Sequence, residues 1–222
     1  MLSVDKLNVE IEGTRVLRDL SLTLRSGVCT VLIGRNGAGK TTTLRSIMGL
    51  IPRISGTVTL EGQEIQDLPA NRRAGLGIGY APEDRRLIPD FTIEENILLP
   101  TLALKLPAAV RRERLDQVFD FLPQLKDMRL RPGGGVSGGQ GKMVALGRAL
   151  TVAEKVLFLD EPFQGLAPAL ALEYARTLSR LRKYRPDLAL LITESTPALL
   201  REVADEELLI ERGEIQKTTL AH

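Results

Sequence analysis

Gly34-Arg35-Asn36-Gly37-Ala38-Gly39-Lys40-Thr41 decides how this chain is read. It fits G-x-x-x-x-G-K-[ST], a pattern whose glycines let consecutive backbone N–H groups turn inward around phosphates. The apolar run Val28-Cys29-Thr30-Val31-Leu32-Ile33 before it reads as a buried strand, and Thr42-Thr43-Leu44-Arg45-Ser46-Ile47-Met48 after it as the start of a helix. The chemistry needs that order, because a helix N-terminus adds the positive end of its dipole to a bound anion. Lys40 can reach the β- and γ-phosphates, and the Thr41 hydroxyl can take a place on Mg²⁺. Gly34, Asn36, Gly37, Ala38, Gly39, Lys40, Thr41 and Thr42 are therefore the expected phosphate-binding residues, and the stretch implies a nucleoside-triphosphate site.

Composition narrows the rest. With 222 residues the chain can bury a sizeable core as one large domain or a domain with a subdomain. Thirty basic and 28 acidic residues leave a charge of +2, so no global field favours nucleic acid or a membrane surface. The single cysteine, Cys29, forms no internal disulfide and reads as a small buried apolar residue in the strand before the loop. Met1-Leu2-Ser3-Val4-Asp5-Lys6 carries no apolar leader, and no run approaches the ~20 apolar residues of a membrane helix. The expectation is a protein that does not cross a membrane by itself.

Working outward, residues 2–24 alternate apolar and polar positions (Leu7, Val9, Ile11; Leu20, Leu22, Leu24), which argues for half-buried antiparallel strands. Residues 55–62 read as strand and turn, and Gly75-Leu76-Gly77-Ile78-Gly79-Tyr80-Ala81-Pro82 as a second strand stopped by proline. From about 85 to 150 the spacing becomes helical, as in Ile93, Ile97, Leu98 and in Leu115, Val118, Phe119, Leu122. This reads as a helical insertion that closes with the loop Arg131-Pro132-Gly133-Gly134-Gly135 and a helix from about Ser137 to Leu150. The run Arg111-Arg112-Glu113-Arg114 reads as a solvated helix face. Beyond it the pattern predicts strand 156–160, helix 169–184, strand 188–193, a helix near 197–204 and strand 207–211. Strands alternating with helices imply a parallel sheet with ligands at the strands' carboxyl ends.

Two further stretches carry chemistry. Val156-Leu157-Phe158-Leu159-Asp160-Glu161-Pro162 is an apolar strand ending in two carboxylates; Asp160 suits a Mg²⁺-linked role, and Glu161 could polarise the attacking water. Val136-Ser137-Gly138-Gly139-Gln140 opens a helix with Ser137 as natural N-cap, and Gly138 and Gly139 leave N–H groups approachable by an anion.

Taken in this order, the three motifs make the chain resemble the ATP-binding subunits of ABC transporters along nearly its whole length. Within that family it looks most like the ATPases of branched-chain amino-acid-type importers, through Asp90-Phe91-Thr92-Ile93-Glu94-Glu95-Asn96, Gly165-Leu166-Ala167-Pro168 and the short tail after Glu211-Arg212-Gly213-Glu214-Ile215. The resemblance implies an α/β phosphate-loop NTPase fold: a parallel-sheet core with an N-terminal antiparallel β subdomain (1–84 with 151–222) and a helical insertion (85–150) in one ABC ATPase domain. It implies ATP and Mg²⁺ as cofactors and a head-to-tail dimer with a second ABC ATPase subunit, the same or paralogous. Each ATP then lies between one subunit's Gly34–Thr42 loop and the other's Ser137, Gly138, Gly139 and Gln140. It also implies two membrane permease subunits docked on the helical insertion, a solute-binding protein, no nucleic acid, and a place on the cytoplasmic face of the cell membrane.

Three positions depart from the family pattern. An aromatic residue that stacks on adenine is replaced by Ile11, and the glutamine that senses Mg²⁺ and water by Glu83. The histidine that contacts the γ-phosphate falls at Glu194; a register shift of one residue puts Thr193 or Ser195 there instead. Near Mg²⁺ the Glu83 carboxylate is attracted and can substitute for glutamine. A Glu194 carboxylate facing phosphate at ~4 Å meets a repulsion of about 4 kcal/mol at an effective dielectric of 20. Glu194 is therefore expected to turn aside, hold a proton, or leave the site slow. His222, the one histidine, stands at the terminus with no expected role. The competing readings are a soluble ABC-type ATPase acting on nucleic acid or ribosomes, and a phosphate-loop kinase or GTPase. The first usually brings long insertions or duplicated cassettes, and the second leaves Val136–Gln140 unexplained.

Overall fold

The alternating N-terminal stretch forms a hairpin. β1 (Leu2–Ile11) pairs antiparallel with β2 (Thr14–Leu24) across a turn in which Glu12 and Gly13 both take positive φ. Each strand also carries one left-handed residue, Lys6 (φ 47°) and Asp19 (φ 43°), and the ladder shifts register there. Asn8 fills the gap, its Nδ2 donating to Lys6 O, Asp19 Oδ1 and Ser55 Oγ. These bulges keep Leu7, Val9, Leu17 and Leu20 on the buried side, whereas Ile11 ends the strand exposed. A computed structural model describes the backbone of residues 1–220 and the side-chain surroundings of residues 1–216. His222 lies outside the described residues.

The chain continues through β3 (Cys29–Ile33), α1 (Lys40–Ile47), β4 (Ser55–Leu60), β5 (Gln63–Glu64), α2 (Ala70–Gly75) and β6 (Ile78–Ala81). Four helices follow: α3 (Ile93–Ala103), α4 (Ala108–Phe121), α5 (Pro123–Lys126) and α6 (Gly138–Leu150). The rest is β7 (Val156–Asp160), α7 (Pro168–Tyr184), β8 (Ala189–Glu194), β9 (Glu206–Glu211) and β10 (Glu214–Leu220). An antiparallel sheet has the order β2-β1-β4-β5, and a six-stranded sheet the order β10-β9-β3-β8-β7-β6. In the latter every pair is parallel except β9 with β10.

Both faces of the six-stranded sheet are covered, which is why its central strands are apolar without a break. Leu32, Phe158 and Leu191 face α1 and the antiparallel sheet, where they meet Leu44, Ile47 and the inward residues of β1 and β2. Their neighbours Val31, Leu157, Leu159 and Ile192 face the helical side, against Val144 and Leu146 of α6 and Leu178 of α7. Cys29 is fully buried on that side, and burial pushes its thiol up to about 12.

The helix expected near 197–204 is a correction. Only a 3-10 turn forms over Pro197–Leu200. The chain has no room for more, because the Asp205 carboxylate is fixed by Cys29 N (2.8 Å) and Arg182 Nη2 (2.6 Å) just before β9 begins. Elements that the sequence reading does not anticipate include α2, β5 and β10. Helix α2 holds Arg73, which is 4% exposed and donates to the carbonyls of Ser46, Ile47, Gln66 and Leu68. It thereby closes the C-terminus of α1, and its guanidinium lies where a Cβ on Gly49 (φ 73°) would be.

Candidate nucleotide site

The phosphate loop is packed from beneath. Gly37 (φ 81°) and Gly39 (φ 111°) are left-handed, and a Cβ on Gly34 would stand 2.6 Å from Ile210 O. Gly213 N donates to Ala38 O at 3.0 Å, so the turn between β9 and β10 braces the loop. Helix α1 starts at Lys40, two residues earlier than expected, with Gly39 as N-cap and Thr43 Oγ1 donating back to Gly39 O at 2.8 Å. Lys40 is 5% exposed; its Nζ donates to Gly34 O (2.6 Å), Arg35 O (3.2 Å) and Ser195 Oγ (3.2 Å) and lies 2.9 Å from Glu161 Oε1.

Strand order assembles the rest. Since β8 lies between β3 and β7, its end Thr193-Glu194-Ser195 separates the phosphate loop from Asp160 and Glu161. Asp160 is 1% exposed and accepts three hydroxyl bonds: Thr41 Oγ1 (3.0 Å) and Thr193 Oγ1 (2.7 Å) on Oδ1, Tyr80 OH (3.1 Å) on Oδ2. Burial, with Asp160 beside it, holds the Tyr80 phenol well above its ordinary range, so it remains a donor. The Thr41 hydroxyl and the Asp160 carboxylate are hard oxygen donors within one hydrogen bond of each other, a set that fits Mg²⁺. Among the described residues there is no cluster of three or more His, Cys, Asp or Glu that could hold a metal. Glu161 follows in a left-handed conformation (φ 45°), with Thr193 Oγ1 and Thr193 O accepting from its N–H.

At the expected γ-phosphate contact the structure differs from the sequence reading. In β8 Thr193 shares the Asp160 side, so alternation sends Glu194 to the other face of the sheet. There Glu194 is 6% exposed and its Oε1 accepts from Phe163 N at 3.1 Å. Burial, reinforced by the neighbouring Glu161 carboxylate, raises the Glu194 acid to about 7 against the N–H groups of Phe163 and Ser195. Ser195 lies on the side of the phosphate loop. Its hydroxyl accepts from Lys40, with Glu161 Oε1 (3.1 Å) and Asn36 Oδ1 (3.0 Å) as alternative acceptors.

Glu83 reaches the site by another route. With Ile11, Val16, Asn36, Gly37, Gly39, Lys40, Thr41, Thr42, Glu161 and Gln164 it lines a cleft of about 500 Å³. Ile11 and Val16 form its aliphatic end, where no aromatic ring stands. Val16 and Gln164 were missed by sequence reading, as was Lys142 of α6, which donates to Glu161 O at 2.8 Å. Ser137, Gly138, Gly139 and Gln140 are absent from that cleft. Gly139 and Gln140 line a separate groove with Leu125, Met128, Leu166 and Leu170. Ser137 and Gln140 form a capping box: Ser137 Oγ accepts from Gln140 N, and Gln140 Oε1 from Ser137 N. Ser137 and Gly138 face solvent.

A phosphate loop, a buried aspartate on its threonine, a following glutamate and a detached Ser-Gly-Gly helix start together define a nucleotide-hydrolysing cassette. Comparison agrees: the profile described as ABC transporter matches residues 17–164, and the chain belongs to that family. It is 33% identical over 215 residues to a high-affinity branched-chain amino acid transport ATP-binding protein, BraG, of Pseudomonas aeruginosa, covering 97% of this chain and 91% of that protein. It is 32% identical over 216 residues to the lipopolysaccharide export system ATP-binding protein LptB of Escherichia coli K12, covering 96% and 88%. Among solved structures, the ADP conformation of an ATP-binding cassette of an ABC transporter superposes with a TM-score of 0.83 at 25% identity, over 99% of this chain and 91% of that one. The chain is thus an ABC-type ATP-binding subunit with ATPase activity.

Proposed function

We propose that this chain powers uptake of branched-chain amino acids or related small solutes by hydrolysing ATP on the cytoplasmic face of a cell membrane. In this reading two such subunits, identical or paralogous, pair head to tail, so that Ser137–Gln140 of one completes the phosphate-loop site of the other. Two permease subunits rest on the helical insertion, and a solute-binding protein delivers the cargo. Similarity to BraG over nearly the whole of both chains supports the choice of solute. Among the described residues no helix is long and apolar enough to cross a membrane, which fits a subunit docked on membrane partners.

One observation carries the catalytic part: the Glu161 carboxylate stands 2.9 Å from Lys40 Nζ, at the end of the strand that also positions Asp160. The backbone N–H groups of Gly37–Thr42 and the Lys40 ammonium hold the ATP phosphates. Thr41 and Asp160, with Glu83 as a further carboxylate, would hold Mg²⁺, which would supply positive charge to the triphosphate. Glu161 takes the proton of the water that attacks the γ-phosphorus, and the bridging β–γ oxygen leaves with ADP. Ser195 assumes the contact that sequence reading gave to Glu194, keeping Lys40, Asn36 and Glu161 in register.

Glu161→Gln should reduce ATP turnover at least 100-fold while ATP still binds, because the cradle and the Mg²⁺ donors remain. Lys40→Ala should instead lose ATP binding. Parent turnover by Glu161→Gln would refute the assignment. Reconstituted with the permease subunits that co-purify with it, the chain should drive ATP-dependent uptake of radiolabelled leucine, isoleucine or valine. Lipopolysaccharide extraction in place of uptake would reject the solute while leaving the ATPase intact.

A further inference from the structure

One buried cation of the site has no part in the chemistry just described. Lys142, on α6, is 6% exposed, and its ammonium donates to the backbone carbonyl of Glu161 at 2.8 Å. That carbonyl also accepts from Gln164 N at 3.2 Å, and the Glu161 N–H is held by Thr193. The peptide groups on both sides of Glu161 are therefore pinned. Such pinning matters because Glu161 is left-handed, at φ 45°, a conformation that disfavours any side chain and persists only when neighbours impose it. A relaxed turn would swing the carboxylate away from Lys40 and Ser195.

The charge of Lys142 is also accounted for. Burial pulls its ammonium below the ordinary lysine range, Glu83, Glu194 and Asp160 favour the cation, and Arg85 opposes it. An apolar side chain would fill the same volume without that desolvation, so packing alone does not explain a lysine here. Nor is the carbonyl of Glu161 an acceptor that needs rescue, since Gln164 already serves it.

We propose that Lys142 is a positioning residue for hydrolysis: from α6 it fixes the left-handed turn at Glu161 and so sets where the Glu161 carboxylate stands against Lys40 and Ser195. It touches neither phosphate nor water and acts only through Glu161. The inference rests on Glu161 as the base. Because misplacement of a reacting group by about 1 Å can cost ~100-fold in rate, the effect belongs in kcat. ATP affinity, set by the phosphate loop, is unaffected.

The test uses the full chain, assayed at one fixed protein concentration with Mg²⁺ and varied ATP. Lys142→Met should lower kcat at least tenfold with KM for ATP within threefold of the parent. In the Glu161→Gln background the same substitution should change residual turnover less than twofold, since the group it positions is gone. If the methionine variant does not fold, Lys142→Leu, which also lacks any donor to the Glu161 carbonyl, is read by the same three numbers. A kcat within twofold of the parent overturns the proposal, as does a parallel loss of kcat and ATP affinity, or an additive loss in the Glu161→Gln background. Parent turnover by Glu161→Gln alone overturns the assignment of the base and this inference with it; an inactive Glu161→Gln beside a normal Lys142→Met overturns this inference only.

Discussion

Glu194→Gln should make the protein more stable, by an amount that grows as pH rises from about 4.5 to 7. In the native fold the Glu194 acid is raised to about 7, mainly by burial and next by the Glu161 carboxylate, whereas an unfolded chain releases the proton near 4.5. Below about 4.5 both states hold the proton, and that part of the stability is fully present. As pH rises from there the unfolded chain ionises first, and stability falls until the native acid ionises as well. A shift from 4.5 to about 7, at 1.36 kcal/mol per pH unit, amounts to about 3 kcal/mol lost by pH 8. Glutamine has the shape of the protonated acid: its Oε1 can accept from Phe163 N and its amide can donate toward Glu161, yet it does not titrate. Urea unfolding of both proteins at half-unit steps from pH 5 to 8.5 measures the difference directly. The two should differ by about 1 kcal/mol near pH 5 and by about 3 kcal/mol at pH 8, the latter equivalent to roughly 6–12 °C in Tm for a chain of this size. Parallel curves, or a difference that grows toward acid pH, would refute the reasoning.

Three more outcomes are expected. Arg73→Met leaves four backbone carbonyls without their donor, two at the end of α1 and two before α2, and should cost about 3 kcal/mol by urea unfolding, with ATP affinity unchanged in the folded fraction. Gly138 is exposed and at the first turn of α6, where an aspartate suits the helix dipole, so Gly138→Asp should fold normally. In a Glu161→Gln background, however, light scattering should show ATP-driven dimerisation abolished, because the new charge opposes the partner's γ-phosphate by about 4 kcal/mol at ~4 Å. Ile11→Tyr places a ring at the aliphatic end of the cleft and should tighten ATP binding by roughly 5- to 150-fold in a fluorescence titration, the equivalent of about 1–3 kcal/mol of base stacking.

What sequence revealed follows from the kind of signal each element carries. The phosphate loop, the antiparallel pair β1 and β2, the N-cap at Ser137 and the Asp160–Glu161 strand end all have local signatures, and each forms where expected. The phase of β8 was not legible. Ala189-Leu190-Leu191-Ile192 is apolar on both faces, so nothing in it says whether Thr193 or Glu194 shares the side of Asp160; the register with β7 decides. Motif spacing favours Glu194, with Ser195 one residue away. Arg73 and Lys142 stayed hidden because a cation in a polar stretch reads as solvated, and only tertiary packing buries it. Helix α2 is too short and too polar for apolar periodicity to mark it.

The bracing of the phosphate loop by the turn at Gly213 bears on how the protein is made. β3 pairs with β8 on one side and β9 on the other, and Ala38 waits for Gly213. At about 5–20 residues per second, residue 213 follows residue 38 out of the ribosome by roughly 10–30 s. Until β8 and β9 emerge late in that interval, the nascent chain carries an apolar central strand with both edges bare, a target for mispairing and for chaperones. ATP cannot shorten the wait by acting as a folding template, because its cradle is shaped only when the last strands arrive. Nucleotide capture is thus a signal of completed synthesis, and a ribosome-stalled chain ending at residue 200 should bind none.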